Sequence, residues 1–455
     1  MDSSLTGLII VAGGIAALLA MIILARIPAF IALLLTSIGV ALAAGMPPDT
    51  IMGSIRDGMG GTLGFVAVVV GLGAMMGAIL EHSGGIQALS RAALSATGPK
   101  GAQWALAAVG IAVSIPVFFD VAFIILAPML FGLARRSGRP VLYFAIPALA
   151  GMAMAHTFLP PTPGPIAVAD LIGANLGLVF LVGLATGIPA VLIGGILFAP
   201  AAARLAGPVL ATGPASLPEA LEDLAPDQTE VRAPPALAVL LIILAPLALI
   251  VLGAFASILP VPNAVQNGLR FIGHPFTALL IACAIAYVVL GLTRAIEAEA
   301  LNRVMVKSLE PAGVIVLITG AGGAFKQVLV DSELGNQIAE LMVSANLAPI
   351  AMAFGIAAIL RVAQGSATVA MITSGTLVSA MIDTANASPI GLALIVSSIA
   401  SGAIVASHVN DSGFWLVSRY LGLTETQTLK TWTAMTTIIG VTGFVIACLM
   451  ALALT

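Results

Sequence analysis

Charged side chains are scarce in this chain. Asp, Glu, Lys and Arg make up only 8% of its 455 residues, whereas the surface of a water-soluble protein needs about 25%. Apolar residues account for 60%. So few charged residues cannot cover the surfaces of several soluble domains, so lipid must surround much of the chain. The composition therefore predicts a polytopic membrane protein.

Positive charge and cysteine are also in short supply. The formal net charge of −3 excludes the basic footprint of a nucleic-acid-binding protein. The two cysteines, Cys283 and Cys448, lie inside apolar runs, and we interpret them as small core residues rather than a disulfide or metal pair. The first apolar run has no basic segment before it and no small-residue cleavage site after it. It is interpreted as a retained span rather than a signal peptide.

Long apolar runs fill most of the remaining sequence. A helix needs about 20 apolar residues to cross a bilayer. The candidate spans are 5–25, 28–44, 62–80, 141–158, 178–204, 236–258, 275–292, 313–330, 389–407 and 432–454.

Two further apolar stretches, 103–133 and 348–381, are interrupted in their middle. The interruptions fall at 115–120 and at 361–366, where proline, charged or polar residues stand. This length favours two half-length helices that meet at a tip, which is a re-entrant hairpin. Two full spans joined by a tight turn remain the alternative.

The positive charges predict an orientation. With the N-terminus outside and both hairpins re-entrant, the inside loops hold most of the Lys and Arg residues. The outside loops hold Arg56, Arg270 and Lys326. This distribution satisfies the positive-inside rule and places both termini in the periplasm. The Pro-rich, acidic segment 205–234 is then a cytoplasmic linker, rather than a regulatory or binding element.

The two halves of the chain resemble each other. The segment 71–89 resembles 320–341, a broken apolar stretch follows in each half, and 154–161 takes the place of 406–413. Because each repeat has an odd number of crossings, the second copy must be inverted in the membrane. Such inverted repeats are typical of secondary transporters, whose sites lie where broken helices meet. The repeats are 1–204, with a broken helix at 141–174, and 235–455, with a broken helix at 389–420.

The helix breaks hold the residues that can carry chemistry. The run 156–165 contains several prolines, which no helix continues through, although a loop at the membrane surface is the alternative. Asp120 places a carboxyl group in an apolar stretch, where a charge is costly. Such a group can serve as a proton carrier. The alternative is a structural role, in which it forms a hydrogen bond with a backbone amide freed by the break. Arg361 can bind a substrate carboxylate. Alternatively, its side chain extends to the membrane surface or pairs with a buried acid.

The motifs at these breaks resemble those of the gluconate permease family of bacterial proton symporters. They are FFD at 118–120, HTFLPPTPGP at 156–165, GGAFKQVL at 322–329, GSATVA at 365–370 and SHVNDSGFW at 407–415. Asp120, Thr162 and Ser412 depart from the family pattern, which bears on substrate preference. The resemblance implies a dimeric, elevator-type transporter in the inner membrane that takes up gluconate or a related small hydroxylated monocarboxylate with protons.

The predicted fold is thus an all-α polytopic membrane protein, with two inverted repeats, about ten transmembrane helices, two re-entrant hairpins and two broken helices. No cofactor is expected. The residues predicted to bind substrate are His156, Thr157, Arg361, Gly365, Ser366, Thr368, Ser407, His408 and Asn410. The residues predicted to couple protons are Asp120, ranked first, and Asp411.

The sequence leaves other classes of function open. A sodium-coupled organic-anion symporter is the main alternative, because backbone carbonyls at a hairpin tip can bind Na⁺ as well. A passive channel also tolerates re-entrant loops. A membrane-embedded metalloenzyme would use His156, His408, Asp120 and Asp411. ATP-driven pumping is disfavoured, because the sequence contains no G-x-x-x-x-G-K-[ST] motif.

Overall fold

The computed structural model describes residues 3–207, 233–256, 259–294, 296–334, 348–382, 387–409 and 411–454. These residues form helices and connecting turns, and no β-strand occurs among them. Most of the predicted linker 205–234 lies outside the described residues, as do Asn410 and both chain ends.

The first half of the chain is a series of apolar helices. They are α1 (Ser3–Ile23), α2 (Ala29–Ala43), α3 (Pro48–His82), α4 (Gly85–Ser114), α5 (Phe119–Ser137), α6 (Leu142–Phe158), α7 (Pro163–Ile172), α8 (Leu176–Val191) with a π-helical continuation (Leu192–Leu197), and α9 (Ala199–Leu205).

The second half continues in the same way. Its helices are α10 (Ala236–Ala254), α11 (Asn263–Ile272), α12 (Pro275–Ala286), α13 (Ala298–Lys307), α14 (Leu309–Asp331), α15 (Pro349–Gln364), α16 (Ala367–Met381), α17 (Pro389–Ile404), α18 (Ser412–Leu421), α19 (Glu425–Thr428) and α20 (Ala434–Leu454).

Several helical runs have the length and composition of membrane spans. Seven such runs occur among the described residues, together with six shorter apolar helices. The seven are Pro48–His82, Leu142–Ile172, Leu176–Leu197, Ala236–Ala254, Pro275–Arg294, Ala298–Asp331 and Glu425–Leu454. The chain is therefore a multi-pass membrane protein, while the total of about ten crossings stays a prediction.

Each predicted break coincides with the end of one helix and the start of another. Helix α4 ends before Pro116 and α5 begins at Phe119; α6 ends at Phe158 and α7 begins after two consecutive prolines. In the second half α15 ends at Gln364, and Gly365 adopts a φ of +78°. Only glycine takes this left-handed conformation at little cost, so the chain turns there and restarts as α16.

Helices α6, α16 and α17 lie in the centre of the protein. Almost every residue of α6 is buried, and α16 and α17 are buried along most of their length. Helix α7 packs against α16, and α15 packs against both α16 and α17. The two break regions that end α6 and α15 are therefore held inside the protein, not at its periphery.

The three cations expected in outside loops all lie in helices, so that expectation is wrong for each of them. They are Arg56 in α3, Arg270 in α11 and Lys326 in α14. Lys326 is half-buried, and its ammonium group contacts another helix. The apolar runs predicted spans at 62–80 and 313–330, which are shorter than the helices α3 and α14 that form.

Candidate functional site

A buried ion pair joins two of the helix breaks. Arg361 lies in the last turn of α15, and Asp411 is the N-cap residue of α18. The Nη2 group of Arg361 donates to Oδ2 of Asp411, and Nη1 donates to the carbonyl oxygen of Gly365. Only 3% of Arg361 and 8% of Asp411 are exposed. The other ion pairs among the described residues are exposed, so this pair is set apart by its burial.

Hydrogen bonds hold the Asp411 carboxylate from its other side. The hydroxyl of Ser407 donates to Oδ2, and the backbone N–H of Gly413 donates to Oδ1 at 3.0 Å. Ser407 accepts a hydrogen bond from Nε1 of Trp432 at 2.6 Å, and its carbonyl accepts one from Thr433. Ser407 was predicted to bind substrate, but its hydroxyl is engaged in positioning Asp411.

His156, at the end of α6, contacts the start of α16. Its Nε2 lies 3.4 Å from the hydroxyl of Thr368, and it is close enough to Arg361 and Asp411 to interact with their charges. These four predicted site residues are thus brought together from three separate breaks. Thr157 differs, because its hydroxyl donates to the carbonyl of Ala153 within α6 at 2.7 Å.

Several buried polar atoms on residues of these breaks have no partner among the described residues. They are Nδ1 of His156, Nε of Arg361, and both amide atoms of Gln364. Buried polar groups are nearly always hydrogen-bonded, so an unpaired group is expected where a ligand supplies the partner. The sequence prediction omitted Gln364 from the site residues. The signal available was its place in the same break, directly before Gly365.

Asp120 lies beside the break between α4 and α5. It lies in the first turn of α5, and its side chain is exposed. Its predicted role as a proton carrier stays a prediction. The neighbouring ring of Phe119 packs 5.3 Å from that of Trp432, and Asp120 interacts electrostatically with Asp411.

The remaining predicted site residues have local structural partners. Ser366 is the N-cap of α16 and accepts from the N–H of Val369 at 3.4 Å. Nδ1 of His408 lies 2.8 Å from the carbonyl oxygen of Ala406. Asn410 lies outside the described residues.

A small cavity borders His156. It is lined by residues of α3, the break after α4, and the break after α6, including Gly73, Pro116 and Thr162. Its volume is about 20 Å³, enough for one water molecule. This cavity by itself is too small for a six-carbon acid.

The alternative metal site is not assembled in the described part of the chain. No three His, Cys, Asp or Glu side chains there come together in a way that could hold a metal ion. Asp411 is instead neutralised by Arg361.

Comparisons with known proteins identify the family. The model of the GntP family permeases matches residues 6–453. The high-affinity gluconate transporter of Escherichia coli K12 is 39% identical over 97% of this chain and 98% of its own length. The Gnt-II system L-idonate transporter of the same strain is 39% identical over 96% and 97%, and the gluconate permease of Bacillus subtilis is 38% identical over 98% and 99%.

Two solved structures share the fold. The YdaH transporter of Alcanivorax borkumensis has a TM-score of 0.60 at 16% identity, covering 89% of this chain and 88% of its own. MtrF of Neisseria gonorrhoeae, an antimetabolite efflux pump, has a TM-score of 0.62 at 17% identity, covering 88% and 84%. The sequence match along the whole chain, the apolar helices and the fold agree, and the protein is a membrane transporter rather than an enzyme: it belongs to the GntP family of permeases.

Proposed function

We propose that this protein imports gluconate or a related small hydroxylated monocarboxylate by proton symport across the bacterial inner membrane. The observation that carries the proposal is the group of unpaired buried polar atoms on His156, Arg361 and Gln364. Each unpaired buried group costs about 1–3 kcal/mol. A ligand with one carboxylate and several hydroxyls would satisfy all of them. Relatives that are similar over their whole length carry the names of gluconate and L-idonate transporters.

Arg361 is the proposed partner of the substrate carboxylate. Two of its nitrogens are engaged by Asp411 and Gly365, while Nε is unpaired. A guanidinium presents five N–H donors in a planar fork that matches a carboxylate. The substrate carboxylate therefore approaches the Nε side of Arg361 and competes there with Asp411 for the positive charge. Gln364, His156 and Thr368 then supply partners for the hydroxyls.

Asp120 is the proposed site of the transported proton, with Asp411 as the second candidate. Asp120 is exposed, so protons can reach it, and it interacts electrostatically with Asp411. An incoming anion adds a negative charge next to these two carboxylates. Protonation of Asp120 removes one of these negative charges. The proton and the anion therefore each favour the binding of the other. Such mutual coupling is what a symporter requires.

The proposed architecture is a dimeric elevator built from two inverted repeats, 1–204 and 235–455, with a cytoplasmic linker at 205–234. A pair of interrupted apolar segments in corresponding positions of both halves supports this arrangement. The small cavity at His156 supports a movement of one part against the other, because this cavity by itself is too small for the substrate.

Uptake of radiolabelled gluconate into proteoliposomes tests the proposal, with pH and sodium gradients imposed separately. We expect accumulation against a concentration gradient when only the pH gradient is present, and competition by aldonates but not by glucose, which lacks the carboxylate. Accumulation on a sodium gradient alone would assign sodium coupling. Equilibration without accumulation would indicate a channel.

A further inference from the structure

Lys326 places a cation inside the protein at a position that the substrate site does not use. It lies in α14, between buried residues such as Phe325 and Val328. Its Nζ donates to the carbonyl oxygen of Leu171 at 2.5 Å. Leu171 belongs to the last turn of α7, the ten-residue half-helix that starts at the break after α6.

The backbone at this end of α7 leaves the carbonyl of Leu171 for an outside donor. The carbonyl of Ala169 accepts from the N–H of Ala174 at 2.8 Å, and that of Asp170 accepts from the N–H of Gly173 at 3.2 Å. The carbonyl of Leu171 is bonded by the Lys326 ammonium instead. The last carbonyls of a helix carry about half a negative charge, so this end of α7 attracts a cation.

One ionisable group lies within electrostatic reach of Lys326 among the described residues, namely Asp170. Helices α2 and α16 also pack against α14 and contain no ionisable side chain. Asp331, further along α14, is hydrogen-bonded by Ser54 and Gln327.

On α3, Arg56 and Asp57 pair with each other at the surface. Lys326 is therefore held by a backbone carbonyl, a helix end and a single carboxylate. The carboxyl end of a half-helix is also where transporters coordinate Na⁺.

We propose that the carboxyl end of α7 is a monovalent-cation site that the chain fills with its own Lys326 ammonium. The site then needs no sodium ion. The ammonium group anchors this end of α7, while the opposite end of the half-helix borders the cavity at His156. The consequence for transport, which is coupling to protons rather than to sodium, rests on the proposed function. Lys326 is the residue that takes the place of sodium.

The test removes the ammonium and offers sodium in its place. Lys326→Ala, Lys326→Arg and wild type are purified in detergent, and thermal unfolding is followed in NaCl and in choline chloride at equal ionic strength. We expect Lys326→Ala to be stabilised by Na⁺, while wild type and Lys326→Arg respond equally to both salts. Lys307→Ala removes an exposed cation from the last turn of α13 and is the matched control, for which no sodium effect is expected.

Uptake in proteoliposomes gives the second readout. Removing the cation should reduce pH-driven uptake about tenfold in choline, which corresponds to about 1.4 kcal/mol, with substantial recovery in NaCl. A residue that merely fills space would show neither the stabilisation nor the recovery. Equal behaviour of Lys326→Ala in both salts would overturn the inference, and so would failure of this variant to fold in NaCl as well as in choline. The unfolding assay contains no substrate or gradient, so its failure is distinguishable from a failure of proton-driven transport by wild type.

Discussion

At the scale of single residues, burial decides how much each charge matters. Arg361 and Asp411 are almost fully buried and neutralise each other, whereas the pair formed by Arg303 and Glu299 is exposed. Water screens the exposed pair and leaves it with little net stabilisation. If one member of the buried pair is removed, the charge of the other stays buried without a counter-charge.

Arg361→Gln should lower the free energy of unfolding by about 3–5 kcal/mol, because Asp411 then stays buried without a counter-charge. Arg303→Gln is the matched control and should cost less than about 1 kcal/mol. Denaturation in detergent measures both. The double variant Arg361→Gln/Asp411→Asn should recover part of the loss, and a double variant no more stable than Arg361→Gln would contradict this account of the pair.

Asp120→Asn should abolish pH-driven accumulation while leaving substrate exchange, because the amide has the shape of the protonated carboxyl but cannot release a proton. Proteoliposome uptake and counterflow distinguish the two activities. Asp49→Asn, in the exposed first turn of α3, should behave as wild type. If Asp120→Asn still concentrates substrate on a pH gradient alone, another group carries the proton.

Thr368→Ala and Asn410→Ala should each impair gluconate uptake without lowering membrane abundance. Thr368 loses the hydroxyl that faces His156, and Asn410 is predicted from its place in the polar run. Thr376→Ala, on the same helix, removes a hydroxyl bonded to its own backbone and should leave uptake unchanged. Normal uptake by the first two variants would move the substrate site elsewhere.

At the scale of helices, small residues allow backbones to approach closely. A Cβ atom on Gly58 of α3 would lie 2.4 Å from the carbonyl oxygen of Gly323 in α14, so these helices touch along their backbones. Nearer its end, α3 contacts the break after α4 in the same way. A Cβ atom on Gly77 would lie 2.1 Å from the carbonyl oxygen of Pro116. Lipid offers no hydrophobic force between helices, so such close packing is what holds them together.

Gly77→Ala should destabilise the protein by about 1–3 kcal/mol and reduce uptake, because the added methyl group forces α3 away from the break. Gly60→Ala adds the same group on the same helix where nothing lies within 4 Å. It should be neutral or slightly stabilising, since alanine favours a helix by about 1 kcal/mol over glycine. Thermal unfolding of both variants provides the measurement, and equal stability would contradict the close approach.

At the scale of the whole molecule, the outer surface is apolar as a lipid-facing surface must be. Leu237, Leu241 and Leu244 of α10 are exposed, as are Leu449 and Leu452 of α20. These helices are among the runs long and apolar enough to cross a membrane. The orientation of the bundle follows only from the charges of the loops, and it is open to a direct experiment.

Cysteines introduced at positions 2 and 455 should react with a membrane-impermeant reagent in intact cells, since both termini are predicted to be periplasmic. The native Cys283 and Cys448 are first replaced by serine. A cysteine within the linker 205–234 should be protected until the cells are permeabilised. Protection of both ends with labelling of the linker would reverse the orientation.

The sequence by itself determined the class of protein, the places where helices break, and the family. Scarcity of charge is a property of composition, and prolines and glycines such as Pro116 and Gly365 act on the backbone beside them. These signals need no knowledge of distant residues.

Only the tertiary structure decided which polar groups meet. Arg361 and Asp411 lie fifty residues apart, and Lys326 binds the carbonyl of Leu171 from 155 residues away. Local sequence does not encode such partners, because packing of whole helices brings them together. The same packing left Asp120 exposed although its sequence neighbours are apolar. It also tied the hydroxyl of Ser407, which was predicted to bind substrate, to Asp411.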